Sequence, residues 1–213
     1  MMMGLDPFQE EVLEAFFARE NGFFLTGGAA LAGYHIHHRA TESLEFCTVE
    51  DRVRVGEAAL LEVAGEIGAK IQRIEAPESH GKFLLRRGDD SLVVSIARDL
   101  CPQVQPEKTI IGEVRVDRPK EITARILCDL RSHFGLAELV DLRALEIVGY
   151  TVEDHLEAAT HRDPEATPAE MVRALSGFEI GEDARPPGDI STADLRSYVA
   201  VLILRLTSLA ARS

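Results

Sequence analysis

Two adjacent glycines follow a short apolar run and could bind a charged ligand. The apolar run 23–25 and Thr26 precede Gly27 and Gly28, and a short helix is predicted from Ala29 onwards. A strand that enters a helix at two glycines leaves backbone N–H groups free, and such groups bind phosphate oxygens. An ordinary strand–turn–helix connection would use the same residues, so the pattern alone leaves both interpretations open.

Three histidines follow that turn and could bind a metal ion. His35 and His37 would share a face of a strand, or His35 and His38 a face of a helix at spacing i, i+3. No Cys, Asp or Glu nearby completes a zinc set at a recognised spacing. A polar turn between a helix and a strand is therefore the preferred interpretation of this cluster.

The composition describes an acidic globular protein. The chain has 213 residues, with 36 Asp and Glu against 23 Lys and Arg and a net charge of −13. Apolar residues make up 46%, which excludes a disordered or fibrous protein. The negative charge argues against a surface that coats nucleic acid, but it is compatible with a nucleotide site at which bound cations screen the acids.

The cysteines and the apolar segments indicate the cellular compartment of the protein. Cys47, Cys101 and Cys128 have no short spacing between them, which is neither a disulfide framework nor a zinc motif. Residues 1–11 lack the pattern of a signal peptide, and the most apolar stretch, 197–204, is too short to span a bilayer. We therefore expect a cytoplasmic protein without membrane contact.

Hydrophobic spacing predicts an α/β half, 1–117, followed by a helical half, 118–213. In the first half, helices are predicted from Pro7 to about residue 21 and over 29–34 and 53–67, and strands over 23–25, 44–49, 70–75, 82–86, 92–97 and 110–116. In the second half, helices are predicted over 119–130, 136–148, 152–160 and 168–175, with a last one starting at Ser191.

Several of these segments together resemble the AbiEii/AbiGii toxin family of nucleotidyltransferases, a minimal branch of the polymerase-β-like superfamily. The resemblance rests on the Gly27-Gly28 turn, on His38-Arg39 and on the strand around Leu44 and Phe46. Segments 92–99, 119–124 and 139–146 continue it in the family's order, so that it covers much of residues 23–147. It implies a mixed α/β sheet with flanking helices and a C-terminal helical domain.

The resemblance also implies a chemistry and a biological setting. Family members transfer a nucleotidyl group from an NTP to an acceptor hydroxyl, and two Mg²⁺ ions clamp the attacking and leaving oxygens. RNA is the possible acceptor, and a cognate antitoxin is the possible partner. Toxin–antitoxin function and phage defence are implied by the resemblance alone.

Site residues follow by matching the family's motifs. Glu45 would be the metal-binding and catalytic carboxylate, and Asp141 would face the active site and orient the substrate. Nucleotide binding would fall to the turn and to neighbouring strand positions: Gly27, Gly28, Ala29, Arg39, Ser43 and Ser95.

Three positions depart from what two-metal chemistry requires. Ser43 and Ser95 stand where the family has carboxylates, and Glu45 is longer than the usual Asp by one methylene. Because side chains alternate along a strand, Ser43 and Glu45 are predicted to share a face. The alternative function is thus a catalytically inactive nucleotide-binding or protein-interaction module on the same fold. For Asp141 the alternative is a structural ion pair or an exposed helix face.

Overall fold

A computed structural model describes residues 4–75, 80–131 and 133–211. The chain forms two compact units. The first comprises Met1–Leu100 and Glu107–Arg118, and the second comprises Cys101–Pro106 and Pro119–Ser213.

The first unit is built on a mixed sheet. In the described part of the chain the sheet has seven strands, in the order β3-β4-β5-β2-β1-β7-β6. Strand β2 is parallel to β5 and β1 is parallel to β7, whereas the other neighbours are antiparallel. The strands are β1 (Phe24–Thr26), β2 (Ser43–Thr48), β3 (Lys70–Glu75), β4 (His80–Arg87), β5 (Asp90–Arg98), β6 (Thr109–Ile111) and β7 (Val114–Val116). The predicted α/β fold class is confirmed.

Three helices accompany this sheet: α1 (Pro7–Phe17), α2 (Gly27–Ala30) and α3 (Val53–Glu66). Asp6 caps α1: its side chain accepts a hydrogen bond from the Gln9 backbone N–H at 2.8 Å, and Pro7 occupies the first helical position. Helix α1 ends at the last residue of its apolar pattern, about four residues earlier than predicted. The predicted helix 29–34 begins two residues earlier, at α2, and continues as a π-helical turn, Leu31–His35.

One strand prediction is wrong. The segment 110–116 forms the two strands of a hairpin, β6 and β7, rather than one continuous strand. Gly112 lies between them with φ +59°, a left-handed conformation that glycine adopts without strain and that a tight hairpin turn requires.

Aromatic packing holds α1 against one face of the sheet. The Phe16 ring of α1 stacks on Phe46 of β2 at 4.2 Å between centroids, and it meets Phe23 edge-on at 5.5 Å. Helix α3 approaches the same face at Gly56, where an added Cβ would lie 2.5 Å from the Phe23 ring. We call this side, with Phe46 and Ile96, the helical face of the sheet.

The second unit contains five helices within its described residues: α4 (Pro119–Asp129), α5 (Leu136–Ile147), α6 (Val152–Arg162), α7 (Pro168–Ser176) and α8 (Thr192–Ala210). Buried Arg162 of α6 pairs with buried Glu121 of α4. The Glu121 carboxylate also accepts a hydrogen bond from the backbone N–H of Gln105 at 2.6 Å, which ties the segment Cys101–Pro106 to these helices. Between α8 and α5, Tyr198 donates a hydrogen bond to Glu146 at 2.9 Å.

The packing predicts that Phe16→Ala destabilises the protein by about 3–5 kcal/mol, because it removes a fully buried ring and leaves a cavity. Leu61→Ala on the exposed side of α3 is the matched control and should cost less than about 1 kcal/mol. Urea unfolding followed by circular dichroism measures both. Equal losses for the two variants would contradict this description of the core.

Candidate functional site

A row of polar residues crosses the sheet on the face opposite the helices. Lys82 on β4 faces Ser95 on β5, Ser95 lies beside Glu45 on β2, and Glu45 faces Thr26 on β1. Paired residues on neighbouring strands point to the same side of a sheet, and alternate residues of one strand point to opposite sides. Because Phe46 faces the helices, these four residues face away from them. We call them the polar row.

Ser43 lies on the same face, two residues before Glu45. It pairs with Val93, and both serine and glutamate are half-buried, whereas Leu44 between them is fully buried. The prediction that Ser43 and Glu45 share a face is confirmed. Strand β2 thus brings one carboxylate and one hydroxyl to the polar face, and β5 adds the Ser95 hydroxyl.

The Glu45 carboxylate lies against the backbone of the glycine turn. A Cβ built on Gly27 would lie 2.8 Å from Oε2 of Glu45, and Gly27 has φ +64°. Only glycine satisfies both the left-handed backbone and this close approach. The two glycines therefore form the predicted turn from strand to helix, and the group that approaches Gly27 is the Glu45 side chain.

A buried ion pair extends the polar row beyond Thr26. The Thr26 hydroxyl donates to Oδ2 of Asp117 at 2.9 Å, and the Lys108 ammonium lies 2.8 Å from Oδ1 of the same carboxylate. Side-chain exposure is only 5% for Lys108 and 2% for Asp117, and the ammonium also lies 4.0 Å above the Phe24 ring. These contacts hold the end of β1, and hence the start of the glycine turn, against β7. Sequence reasoning missed both charged residues.

The histidines of the predicted cluster contact separate carbonyl groups. Nε2 of His35 lies 2.7 Å from the Asp117 carbonyl and must carry the proton, since a carbonyl only accepts. His37 adopts φ +55° and its Nδ1 contacts the Ala32 carbonyl at 2.9 Å. Burial lowers the pKa of His35, and this outweighs the opposing effect of Asp117.

The remaining predicted site residues lie in different settings. Ala29 is buried within α2. Arg39 is also buried, and its Nη1 donates to the Ala40 carbonyl at 3.0 Å. Asp141 belongs to α5 in the second unit and is 3% exposed, so the expectation of an exposed helix face there is wrong.

The donor set on the polar face does not fit two divalent ions. Two-metal sites use several carboxylates, whereas Ser43, Glu45 and Ser95 offer one. Asp117 adds no ligand to the polar face, because its carboxylate is buried and is engaged by Thr26 and Lys108. Across the described ranges, no group of three or more His, Cys, Asp or Glu side chains could hold a metal ion.

Comparison with known proteins identifies the fold. No family model and no curated protein sequence matches the chain. Among solved structures, JHP933 from Helicobacter pylori aligns over 95% of this chain and 90% of its own, with 18% identity and a TM-score of 0.57. A candidate nucleotidyltransferase from H. pylori aligns over 95% and 93%, with 17% identity and a TM-score of 0.59.

A third structure is similar as well. MenT4, a nucleotidyltransferase toxin from Mycobacterium tuberculosis, aligns over 94% of this chain and 82% of its own, with 16% identity and a TM-score of 0.63. The fold is therefore the nucleotidyltransferase fold that the sequence resemblance predicted, and it includes a toxin among its members. Among the residues that the structure describes, none of the helices is both long and apolar enough to cross a membrane.

The turn geometry predicts that Gly27→Ala costs roughly 1–2 kcal/mol, the strain of a left-handed backbone with a Cβ, and displaces the Glu45 carboxylate. In a Glu45→Ala background the loss should shrink but persist, since only the steric contact is removed. Gly65→Ala, in a helix with open space around it, is the control and should be neutral or stabilising. Chemical denaturation of the parent and of the four variants, the double variant included, measures these differences. An unchanged stability of Gly27→Ala would contradict the left-handed backbone, and an equal loss in the Glu45→Ala background would contradict the close approach.

Burial of His35 predicts a loss of stability in acid. Because burial lowers the pKa of His35 in the folded protein, the unfolded chain takes up the proton first, near the ordinary pKa of 6.5, and stability falls as the pH drops below that value. His35→Gln should lose less stability than the parent between about pH 7.5 and about pH 5.5, with exposed His37→Gln as control. Urea midpoints at both pH values measure this difference. Parallel pH profiles for parent and His35→Gln would exclude it.

Proposed function

We propose that this protein binds a nucleoside triphosphate on the polar face of its sheet, with the phosphates next to the glycine turn. The observation that carries the proposal is the polar row itself. A lysine, a serine and a glutamate lie side by side on three neighbouring strands, and the family resemblance implies carboxylates at the positions of the serine and the glutamate. Backbone N–H groups at Gly27 and Gly28 and the hydroxyls of Ser43 and Ser95 are suitable donors to phosphate oxygens.

The same residues argue for binding rather than metal-dependent transfer. Nucleotidyl transfer with two metal ions requires carboxylates that hold both ions in line with the reacting oxygens. With Glu45 as the single carboxylate among the three expected positions, the chain lacks that ligand set. The proposed function is therefore that of a cytoplasmic nucleotide-binding protein on a nucleotidyltransferase fold.

A second candidate is nucleotidyl transfer from an NTP to an RNA acceptor, in a toxin controlled by a cognate antitoxin and acting in phage defence. Two observations favour it: Glu45 is retained at the centre of the polar row, and the fold is shared with a protein named as a nucleotidyltransferase toxin. This candidate requires Mg²⁺ to bind with Glu45 and with the phosphates of the substrate.

Two measurements on the full chain separate the candidates. Calorimetric titration with ATP, GTP, CTP and UTP in the presence of Mg²⁺ should show saturable binding of at least one nucleotide. Incubation with labelled NTP, Mg²⁺ and total RNA should leave the RNA unlabelled. Labelled RNA that disappears with Glu45→Gln would establish the transferase instead, and absence of binding by all four nucleotides would refute the proposal.

A further inference from the structure

We infer that the polar row binds the phosphates of its nucleotide directly, with the Lys82 ammonium in the place of a divalent cation. This inference rests on the proposed function and specifies how that site works. It follows from the disagreement between the fold, whose chemistry relies on metal-bound carboxylates, and the side chains that this chain presents at those positions.

The register places Lys82 within reach of the expected metal positions. Lys82 faces Ser95, the residue at the position of the third carboxylate, and Ser95 adjoins Glu45. Neighbouring strands are about 4.8 Å apart, so Lys82 and Glu45 are separated by about 10 Å at the backbone. The flexible four-carbon stem of lysine allows the ammonium to turn toward Ser95 and a phosphate bound there.

The two serines complete a donor set that suits an anion. Carboxylates at these positions would repel a phosphate unless a cation lay between them. The hydroxyls of Ser43 and Ser95 can instead donate hydrogen bonds to phosphate oxygens. An ammonium also binds phosphate as a point charge, without the octahedral coordination that Mg²⁺ demands. The two serines at the expected carboxylate positions and the lysine opposite one of them therefore all favour binding of an anion without a metal ion.

Further positive charge lies on the same side of the sheet. Arg86 follows Lys82 on β4 at an even spacing and pairs with Lys70 on β3, so all three side chains point away from the helices. The net charge of −13 does not cancel this local field, because charges beyond about 8 Å are largely screened at physiological salt. By the same screening Arg86, about 13 Å from Lys82 along β4, adds little to the attraction at the polar row, which rests on the Lys82 ammonium.

Loss of the Glu45 carboxylate should change nucleotide affinity in opposite directions in a site with a metal ion and in a site without one. In a metal site this carboxylate holds the cation, and its loss weakens nucleotide binding. In a site without metal it only repels the phosphates, and its loss strengthens binding. One unit charge at about 6 Å in water is equivalent to about a threefold change in affinity.

The test is calorimetric titration of the full chain with ATP and with inorganic tripolyphosphate, in EDTA and in excess Mg²⁺. Both ligands should bind in EDTA, and Mg²⁺ should weaken binding because it neutralises phosphate charge. Lys82→Gln should weaken binding about 10- to 100-fold, the effect of a lost charged hydrogen bond. Lys82→Arg should retain most of the affinity, and Glu45→Gln should increase it about threefold.

Arg86→Gln is the matched control, since it removes a charge from the same strand and face about 13 Å from Lys82. Equal effects of Lys82→Gln and Arg86→Gln would overturn the role of Lys82. Binding that appears only with Mg²⁺ and is weakened by Glu45→Gln would overturn the inference while leaving the proposed function intact. Absence of ATP binding in both buffers would reject the proposed function and the inference together. Thermal unfolding monitored by circular dichroism verifies that each variant is folded.

Discussion

The stacking of Phe46 on Phe16 determines which side of β2 faces the helices, and the polar row depends on it. A strand whose alternate residues are Leu44 and Phe46 must turn these toward α1 and α3, which leaves Ser43 and Glu45 on the other side. Because paired residues lie on the same side of a sheet, the orientation of β2 also fixes which residues of β5 and β4 lie on the polar side. A shift by one residue would bury Glu45 and expose the aromatic core.

Local patterns in the sequence were sufficient for most elements and for part of the site. The alternation in β2 predicted the shared face of Ser43 and Glu45. The two-residue turn at Gly88 and Asp89 also fixes the position of Lys82, because it pairs Arg87 with Asp90 and thereby sets every further pair of β4 and β5. Fixed turn geometry is the signal by which Lys82 could have been found.

Other features of the structure could not be predicted from the sequence of the segment in which they occur. Thr26 and Asp117 are 91 positions apart, and their hydrogen bond exists only because β1 and β7 pair in parallel. The division of 110–116 into two strands depends on the left-handed conformation of Gly112, and a single glycine between apolar residues is also compatible with one bulged strand. Burial of Asp141 likewise depends on packing within the helical unit, where a charged residue on a predicted helix would ordinarily be solvated.

The path of the chain through its two units limits how the protein could have been assembled in evolution. The chain leaves the first unit after Leu100, returns at Glu107 with β6 and β7, and departs again after Arg118. A gene fusion or a single recombination event joins sequences at one point, whereas these units meet at three junctions. Exchange of the helical unit at the junction after Arg118 alone would lose the Gln105 contact with Glu121, and exchange at the junction after Leu100 would lose β6 and β7 with the flanking Lys108 and Asp117. Exchange of either unit as a whole therefore requires all three junctions.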